Sequence, residues 1–550
     1  MVAWDLFGQC INSVTSNDRQ HMLGGVCRNT RIPGISVVRK GWTNSRNVGS
    51  SRTVKALLQL HHRSTESASI LPIIPRQRTS VTRCNQRYDF RMALEGAPNI
   101  GLDDKEAHLV SLLDGCCDWI NAHRPQPNVE EGGTQVNYNA SVEARIAGGW
   151  VRDKLLGMPS HDLDVSLSVM TGLNFAILFK AYLLQLSSSA SSSSSSSNRD
   201  SAGSIADAAL AAMSRITKIS ANPEQSKSLE TATANILGLD LDFVNLRKEV
   251  YDNPATRIPT MTFGTPQEDA ERRDITINTL FFNVKTRQVE DWTGMGLQDL
   301  RAGLVRTPLP PLTTFLDDPL RVLRCVRFAS RLNYRLDDSI ADCLTGKSHG
   351  DPALYADDPR LAGLDASTMA KEGRQLLREA LMTKVSRERV GVEVDKMMAG
   401  PFPLLAHQYL ALLGLYELVF HPSSASIANL PVRHPSGAHE LPDPDASSRL
   451  TLLASQLVDA ISQRPLSTME GASVPQDTQA IDQVLPPSIR AAVPTQLRHV
   501  VADREQRRRL ELASAFLAFE GWELEEKKGK WAWCGDRVMM QGLKVRDFGR

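Results

Sequence analysis

The segment Gly148–Asp164 constrains the fold of this 550-residue chain more than any other. A predicted strand, Val142–Ala147, leads into two glycines, Gly148 and Gly149, and then into a short helix. Glycine lets the backbone approach a phosphate closely, and a helix N-terminus offers free N–H groups and positive potential. Arg152, in the first turn of that helix, can reach the same phosphate. The segment therefore predicts a phosphate-binding turn in an α/β domain.

The next predicted strand, Asp162–Leu167, carries two carboxylates at alternating positions. Residues i and i+2 of a strand face the same side, so Asp162 and Asp164 project together. Two carboxylates on one face repel each other unless cations lie between them, and their hard oxygens suit Mg²⁺. A solvated strand face is the alternative interpretation. The glycine turn just upstream favours a magnesium site.

A third carboxylate, Asp242, lies in the apolar strand Leu239–Leu246, which is predicted to form a hairpin with Thr231–Leu237. A neighbouring strand can bring Asp242 beside Asp162 and Asp164, although a plain surface position is also open. Three carboxylates holding two Mg²⁺ would suit in-line attack of a hydroxyl on a nucleotide α-phosphate. One ion would lower the pKa of the hydroxyl, and the other would stabilise the leaving pyrophosphate.

Two adjacent arginines, Arg272 and Arg273, follow in a segment that ends at Asn278. Near a triphosphate site, their charges suit neutralisation of the phosphates. The amide of Asn278 can hold a sugar hydroxyl. Without the earlier motifs, the same residues indicate only a charged helix start.

The segment Asp318–Leu332 is apolar at helical spacing and carries Asp318, Arg321, Arg324 and Arg327 in one row. A basic outer face of an amphipathic helix is one interpretation. The other interpretation is that these side chains recognise a nucleotide base by hydrogen bonds to its edge. Cytosine and adenine present an amino donor beside a ring-nitrogen acceptor, whereas guanine and uracil present a carbonyl beside an N–H. Because Asp accepts and Arg donates, Asp318 with Arg321 would select C and A.

In this order, the motifs resemble those of class II tRNA nucleotidyltransferases, the CCA-adding enzymes of bacteria and eukaryotes. The resemblance covers roughly 140–400, and the stretch Phe263–Pro266 before the arginine pair is similar to the eukaryotic, especially fungal, branch. Asp317 stands where the family has Glu, and the Ser-rich insert at 187–203 is outside the common pattern. The resemblance also implies a longer helical tail than this sequence has, which stops at Asp547–Arg550.

The resemblance implies template-independent addition of CCA to the 3′ end of tRNA from CTP and ATP, with Mg²⁺ as cofactor. Asp162 and Asp164 would bind the metal, with Asp242 as a further catalytic carboxylate. The family helix element Ser386–Arg389 would stabilise a helical neck. A poly(A) polymerase-type adenylyltransferase and a non-catalytic RNA-binding protein are the alternatives. The implied nucleotide-binding residues are Gly148, Gly149, Arg152, Arg272, Arg273, Asn278, Asp318, Arg321, Arg324 and Arg327.

The predicted fold class is α+β: a nucleotidyltransferase head with a small mixed β-sheet and helices, followed by an all-helical neck, body and tail. We expect the head at 94–300, the neck with the nucleotide-selecting helix at 301–400, and a tRNA-binding body and tail at 401–550. Two Pro- and Ser-rich stretches, 421–449 and 464–488, read as loops. The expected assembly is a monomer or a weak homo-oligomer.

Residues 1–93 carry 14 Arg or Lys against four acidic residues, a composition typical of mitochondrial targeting segments. A disordered basic tail is the alternative. A second start at Met92 would give a cytoplasmic or nuclear form. The net charge of +1 excludes nucleic-acid binding through bulk charge. The eight cysteines lack metal-ligand spacing and indicate reduced thiols, and no apolar run is long enough for a membrane span.

Overall fold

The computed structural model describes residues 100–192, 217–219, 231–250, 259–345, 361, 365–421, 431–462, 503–519, 521–527, 530–538 and 543. They fall into two compact units, an N-terminal unit that ends at Val385 and a C-terminal unit that begins at Ser386. The predicted leader at 1–93, the second start at Met92 and the predicted loop at 464–488 lie outside the described residues.

The N-terminal unit combines one large sheet with helices. Its described elements, in chain order, are α1 (Asp104–His123), β1 (Ala144–Ala147), α2 (Gly149–Leu155), β2 (Asp162–Leu167), α3 (Gly172–Ser192), β3 (Thr217–Ile219), β4 (Thr231–Ile236), β5 (Leu239–Asn245), β6 (Arg247–Val250), β7 (Thr260–Phe263), α4 (Pro266–Glu271), a 3₁₀ turn (Thr276–Asn278), β8 (Phe281–Asn283), β9 (Val289–Glu290), α5 (Gly296–Ala302), β10 (Leu304–Val305), α6 (Pro311–Asp317), α7 (Leu320–Leu332), β11 (Arg335–Leu336), α8 (Asp338–Thr345) and α9 (Ala366–Thr383).

The large sheet has seven strands in the order β3-β4-β5-β2-β1-β8-β9. Its neighbouring strands run antiparallel except for β2 and β5, which are parallel. A parallel pair needs a crossover connection, and α3 lies within the chain segment that joins β2 to β5. The sheet is therefore mixed, as predicted for the head of an α+β protein.

The two parallel strands bury one face and expose the other. Leu163 on β2 and Leu241 and Phe243 on β5 are buried, and they alternate with exposed residues along each strand. Helix α3 covers the buried face, where the rings of Phe175 and Phe179 pack 5.5 and 6.2 Å from that of Phe243. The opposite face of these strands is left open to solvent.

Strands β4 and β5 form the predicted hairpin, and its turn is tight. Leu237 and Gly238 both have positive φ, 55° and 81°. Two such residues in succession match the right-handed twist of the strands that flank them. The hairpin prediction is therefore confirmed, with the turn at Leu237–Gly238.

Helix α3 begins where its backbone almost touches β5. The N–H of Asn174 donates to Thr171 Oγ1 at 3.3 Å, so Thr171 caps the helix. The flexible Ser-rich insert was expected from residue 187, but α3 continues to Ser192. The predicted start of the insert is corrected accordingly. Serine lowers the stability of a helix only slightly once the preceding turns have formed. The rest of the insert, from residue 193, lies outside the described residues.

The described elements of the C-terminal unit are α10 (Arg387–Met398), α11 (Pro403–Leu412), α12 (Tyr416–Phe420), β12 (Val432–Arg433), α13 (Pro444–Ser462), α14 (Arg504–Ala515), a 3₁₀ turn (Leu517–Phe519), β13 (Glu523–Lys527), β14 (Lys530–Trp533) and α15 (Cys534–Arg537). The N-cap residue of helix α10 is Ser386, the first residue of the family element Ser386–Arg389. Arg387 in its first turn donates to the carbonyl oxygens of Leu418 and Val419, both at 2.7 Å. This bond pair joins α10 to α12.

The C-terminal unit is mainly helical, but β12, β13 and β14 form a three-stranded antiparallel sheet. The prediction of an all-helical body and tail omits this sheet and is corrected here. Leu524 is buried between Glu523 and Glu525, an alternation that favours a strand over a helix. The loop predicted at 421–449 is also shorter, because β12 lies within it and α13 begins at Pro444.

The described cysteines are buried and free: Cys116, Cys117, Cys325, Cys343 and Cys534. Burial raises the pKa of each thiol, which agrees with reduced, unreactive side chains. No helix in the described ranges has the length and apolar character that crossing a membrane requires.

Gly172 provides a test of how closely α3 packs on β5. A Cβ at this position would lie 1.8 Å from the carbonyl oxygen of Phe243. Because that oxygen belongs to the backbone of β5, it cannot move aside without distorting the strand. We expect Gly172→Ala to lower the free energy of unfolding by about 3 kcal/mol, measured by chemical denaturation. Gly101→Ala is the control, because a Cβ there meets nothing within 4 Å. Equal stability of the two variants would contradict this packing.

Candidate active site

Four aspartates lie side by side on the open face of the sheet, where β2 and β5 pair. Asp162 is opposite Asp240, and Asp164 is opposite Asp242. All four residues are exposed, because each alternates with a buried apolar neighbour along its strand. The register thus brings Asp242 beside the pair, as the sequence led us to expect. It adds Asp240, to which the sequence analysis gave no role in the site.

The surroundings of this face raise the pKa of two of these carboxylates, Asp164 and Asp242. Desolvation by the surrounding protein raises the pKa of Asp164 first, and Asp162 raises it further, while Arg273 opposes the rise. Desolvation also raises the pKa of Asp242, and the neighbouring aspartates add to it, Asp164 most. Crowded carboxylates of this kind are stabilised by a cation that binds among them.

The donor atoms on this face suit Mg²⁺. That ion commonly binds through one or two carboxylates and completes its octahedral shell with water and substrate phosphates. Across the described ranges, no group of three or more His, Cys, Asp or Glu side chains is arranged to hold a metal ion by itself. Asp162 and Asp164 offer two carboxylates to such an ion, and their role as metal ligands stays a prediction.

The glycine turn lies against the same face. Gly148 has a φ of 74°, in the region that favours glycine, and its N–H donates to the carbonyl oxygen of Leu280 at 3.0 Å. A Cβ on Gly148 would lie 2.8 Å from Arg273 Nη1 and 3.9 Å from Asp164 Oδ2. Gly149 then begins helix α2. The turn therefore brings a guanidinium and a carboxylate into one small space.

Arg152 points into the protein. Its side chain is buried, Nε donates to Asp153 Oδ1 at 2.8 Å, and Nη1 donates to Asn278 Oδ1. Burial lowers the pKa of Arg152, and Asp153 opposes the change. The side chain thus anchors α2 to the 3₁₀ turn that contains Asn278. Its Nη2 lies 3.7 Å from where a Cβ on Gly149 would be, and phosphate contact by Arg152 stays a prediction.

Asp269 holds both arginines of the predicted pair. Arg272 Nε donates to Asp269 Oδ1 at 2.9 Å, and Arg273 Nη2 donates to Asp269 Oδ2 at 2.9 Å. Burial would raise the pKa of Asp269, but Arg273 and Arg272 outweigh it and lower the pKa to about 2. Arg272 also donates to Glu249 Oε1 at 2.9 Å. Of the two arginines, Arg273 is therefore the one beside Gly148 and the aspartates.

Arg247 belongs to the same cluster, although the sequence analysis missed it. Its backbone N–H donates to Asp269 Oδ1 at 3.1 Å. Burial and the neighbouring Arg272 lower the pKa of Arg247 to about 10, and its charge opposes the rise in the pKa of Asp164. The available signal was local: Arg247 follows directly after the strand that carries Asp242.

Asp274 connects the arginine pair to helix α7. Both Nε and Nη2 of Arg324 lie 2.7 Å from Asp274 Oδ2, and Asn278 Nδ2 donates to Asp274 Oδ1 at 3.0 Å. Burial would raise the pKa of Asp274, but Arg324 and Asn278 outweigh it and bring the pKa to about 2. Two predicted site residues, Asn278 and Arg324, are thus joined through an aspartate to which the sequence analysis gave no role.

The residues predicted to recognise the base, Asp318 and Arg321, lie where helices α6 and α7 meet. Asp318 is extended and half-buried between the two helices, and α7 begins at Leu320 rather than at Asp318. Arg321 is buried, and its Nη2 donates to the carbonyl oxygen of Arg272 at 2.7 Å. Arg327 is buried as well. Arg321 and Arg327 are therefore packed against protein, whereas the side chain of Arg324 is 36% exposed, so the row is not a fully solvated outer face of an amphipathic helix.

Residues 144–306 match the family described as the poly A polymerase head domain. That range contains the glycine turn, the aspartates and the arginine pair. Among curated proteins, the mitochondrial CCA tRNA nucleotidyltransferase of Saccharomyces cerevisiae is 41% identical over 327 residues, which cover 59% of this chain and 48% of that protein. The tRNA nucleotidyltransferase cca2 of Schizosaccharomyces pombe is 38% identical over 321 residues, which cover 58% of this chain and 54% of that protein.

The chain therefore spans about half the length of the curated relatives it matches. Poly(A) polymerase I of Salmonella typhi is more distant, with 28% identity over 250 residues that cover 44% of each chain. The comparisons confirm the resemblance to class II tRNA nucleotidyltransferases and its fungal character.

Asp269→Asn tests whether this carboxylate holds the arginine cluster together. Because its folded pKa of about 2 lies below the usual 3.8, Asp269 stabilises the fold fully above about pH 4. That contribution, about 2 kcal/mol, is lost as the pH falls toward 2. We expect wild type to exceed the variant in free energy of unfolding at pH 7, with the difference shrinking below pH 4 in chemical denaturation.

The control for this series is Asp338→Asn, an exposed aspartate of the same unit. We expect it to match wild type within about 0.5 kcal/mol at each pH. A difference between wild type and Asp269→Asn that stays constant from pH 7 to the acid limit of folding would contradict the assignment.

Proposed function

We propose that this chain adds CCA to the 3′ end of tRNA from CTP and ATP without a nucleic-acid template. The observation that carries the proposal is the register of β2 and β5, which pairs Asp164 with Asp242 directly beside Gly148 and Arg273. Carboxylates that suit a metal then face a cation that suits phosphates. The similarity to relatives named CCA tRNA nucleotidyltransferase supports tRNA as the acceptor.

In this proposal, Asp162 and Asp164 hold Mg²⁺, with Asp242 beside them. Of two Mg²⁺ ions held there, one would lower the pKa of the attacking 3′ hydroxyl and the other would neutralise charge on the leaving pyrophosphate. Arg273 orients the triphosphate from its position beside Gly148. Asp269 fixes Arg273 for this task through the bond to Asp269 Oδ2. The 3′ hydroxyl then attacks the α-phosphate in line.

Base choice in this proposal rests on Asp318 and Arg321. The carboxylate of Asp318 accepts from the exocyclic amino group of C or A, and the guanidinium of Arg321 donates to the adjacent ring nitrogen. Arg321 also contacts the carbonyl oxygen of Arg272, which supports a single pocket spanning the triphosphate cluster and helix α7. Such a pocket rejects G and U, because both present a donor where Arg321 needs an acceptor.

The remaining assignments are part of the same proposal. The head extends over 94–300, the neck over 301–400, and the tRNA-binding body and tail over 401–550. The enzyme acts as a monomer or a weak homo-oligomer in mitochondria and in the cytoplasm or nucleus. The mitochondrial relative in Saccharomyces cerevisiae supports the first location, as does the basic composition of residues 1–93.

Localisation is tested with fluorescent fusions that begin at Met1 or at Met92. The longer fusion should enter mitochondria because its leader carries a large excess of positive charge. The shorter fusion should remain in the cytoplasm and nucleus. Identical cytoplasmic staining of both fusions would overturn the targeting assignment.

The activity is tested with purified protein, Mg²⁺, a tRNA that lacks CCA, and each nucleotide added separately and together. CTP alone should extend the primer by two residues and CTP with ATP by three, while GTP and UTP give none. Asp162→Ala should lower the rate by roughly a thousandfold or more, because the metal loses a carboxylate. Binding of tRNA, measured by gel shift, should be retained.

The control variant is Asp104→Asn, an exposed aspartate at the start of α1 that should transfer at the wild-type rate. A long A tail from ATP alone would favour the poly(A) polymerase alternative. tRNA binding without incorporation of any nucleotide would favour a non-catalytic RNA-binding protein. Full activity of Asp162→Ala would refute the metal assignment.

A further inference from the structure

Three of the arginines that the family resemblance implies as nucleotide-binding residues meet on one aromatic ring. Phe328 lies on helix α7 and is 5% exposed. The guanidinium carbons of Arg327, Arg152 and Arg324 lie 4.1, 5.1 and 5.6 Å from the centroid of its ring. Each distance falls within the range over which a cation is attracted to the face of an aromatic ring.

The arginines around this ring come from two different parts of the unit. Arg152 belongs to α2, directly after the glycine turn, whereas Arg324 and Arg327 belong to α7. Each of these two helices makes its backbone hydrogen bonds within itself, so side chains have to link them. The ring of Phe328 is thus a surface that the glycine-turn helix and the base-selecting helix share.

Carboxylates near the ring also hold these arginines. Asp153 contacts Arg152 at 2.7 Å and Arg331 at 3.2 Å, and Asp274 contacts Arg324 at 2.7 Å. Two guanidinium groups therefore share Asp153, and the charge of Arg331 contributes to the lowered pKa of Arg152, after burial. The negative face of an aromatic ring accepts a guanidinium without adding a further acid to the site.

We propose that Phe328 is a positioning residue for nucleotide binding, which holds Arg152, Arg324 and Arg327 in fixed orientations by contact with its ring. This inference rests on the proposed function, and the nucleotide-binding role of the three arginines is the one that the family resemblance implies. The chemistry requires an aromatic face and not only an apolar volume. Leucine would fill most of the space but would offer no electron-rich surface to the guanidinium groups.

The test compares Phe328→Leu and Phe328→Tyr with wild type. The dissociation constants for CTP and ATP are measured by titration calorimetry in the presence of Mg²⁺, and the melting temperature of each protein is recorded. Phe328→Leu should weaken binding of both nucleotides by about tenfold, because several weak ring contacts are lost together. Phe328→Tyr should stay within about twofold of wild type, because the ring remains.

Phe179→Leu is the matched control. Phe179 is fully buried in α3, and its ring packs on the rings of Phe175 and Phe243. This variant removes the same atoms from the core of the same unit without touching an arginine of the site. It should lower the melting temperature as Phe328→Leu does, while its dissociation constants for CTP and ATP match those of wild type.

Two outcomes would overturn the inference. One is a Phe328→Leu protein that loses melting temperature like Phe179→Leu but binds both nucleotides as tightly as wild type. The other is a Phe328→Tyr protein that melts like wild type yet binds as weakly as Phe328→Leu. Because the measurement is binding, a wild-type protein that binds CTP and ATP but transfers neither would refute the proposed function and leave this inference standing.

Discussion

The site depends on the parallel pairing of β2 with β5. Leu163 and Phe243 bury the far side of this pair beneath α3, and that burial fixes which side faces solvent. A slip of one residue would move an apolar side chain into water and a carboxylate into the core. The same hydrophobic contacts that stabilise the unit therefore set Asp164 beside Asp242. The position of the chemistry follows from the packing of residues that take no part in it.

The sequence predicted those structural features that depend on residues close together along the chain. The bounds of β2, the hairpin of β4 and β5 and the aspartate alternation all follow from local spacing. Asp240 and Arg247 were missed, because their roles arise only when distant strands pair. The sheet of the C-terminal unit was missed for the same reason: its first strand, Val432–Arg433, has two residues and pairs with one far along the chain.

The arginine row on α7 illustrates a second limit. Spacing correctly indicated that these side chains share a helix, but it could not identify what each one meets. Arg321 contacts backbone carbonyl groups, Arg324 an aspartate, and Arg327 an aromatic ring. The partners of Arg321 and Arg324 come from other elements, so the periodicity of α7 carries no information about them. An outer basic face and a packed row have the same pattern in sequence.

The seven-stranded sheet also determines where this chain can change in length. Strand β3 is the outermost strand, separated from β5 by β4, and the segment that follows α3 enters the sheet there. The entropy of closing a connection between two fixed ends of a chain grows only with the logarithm of its length, about 0.6 kcal/mol for each doubling. Residues can therefore be gained or lost between Ser192 and Thr217 over evolutionary time at small thermodynamic cost. The register that aligns the aspartates, two strands further in, would be inherited unchanged.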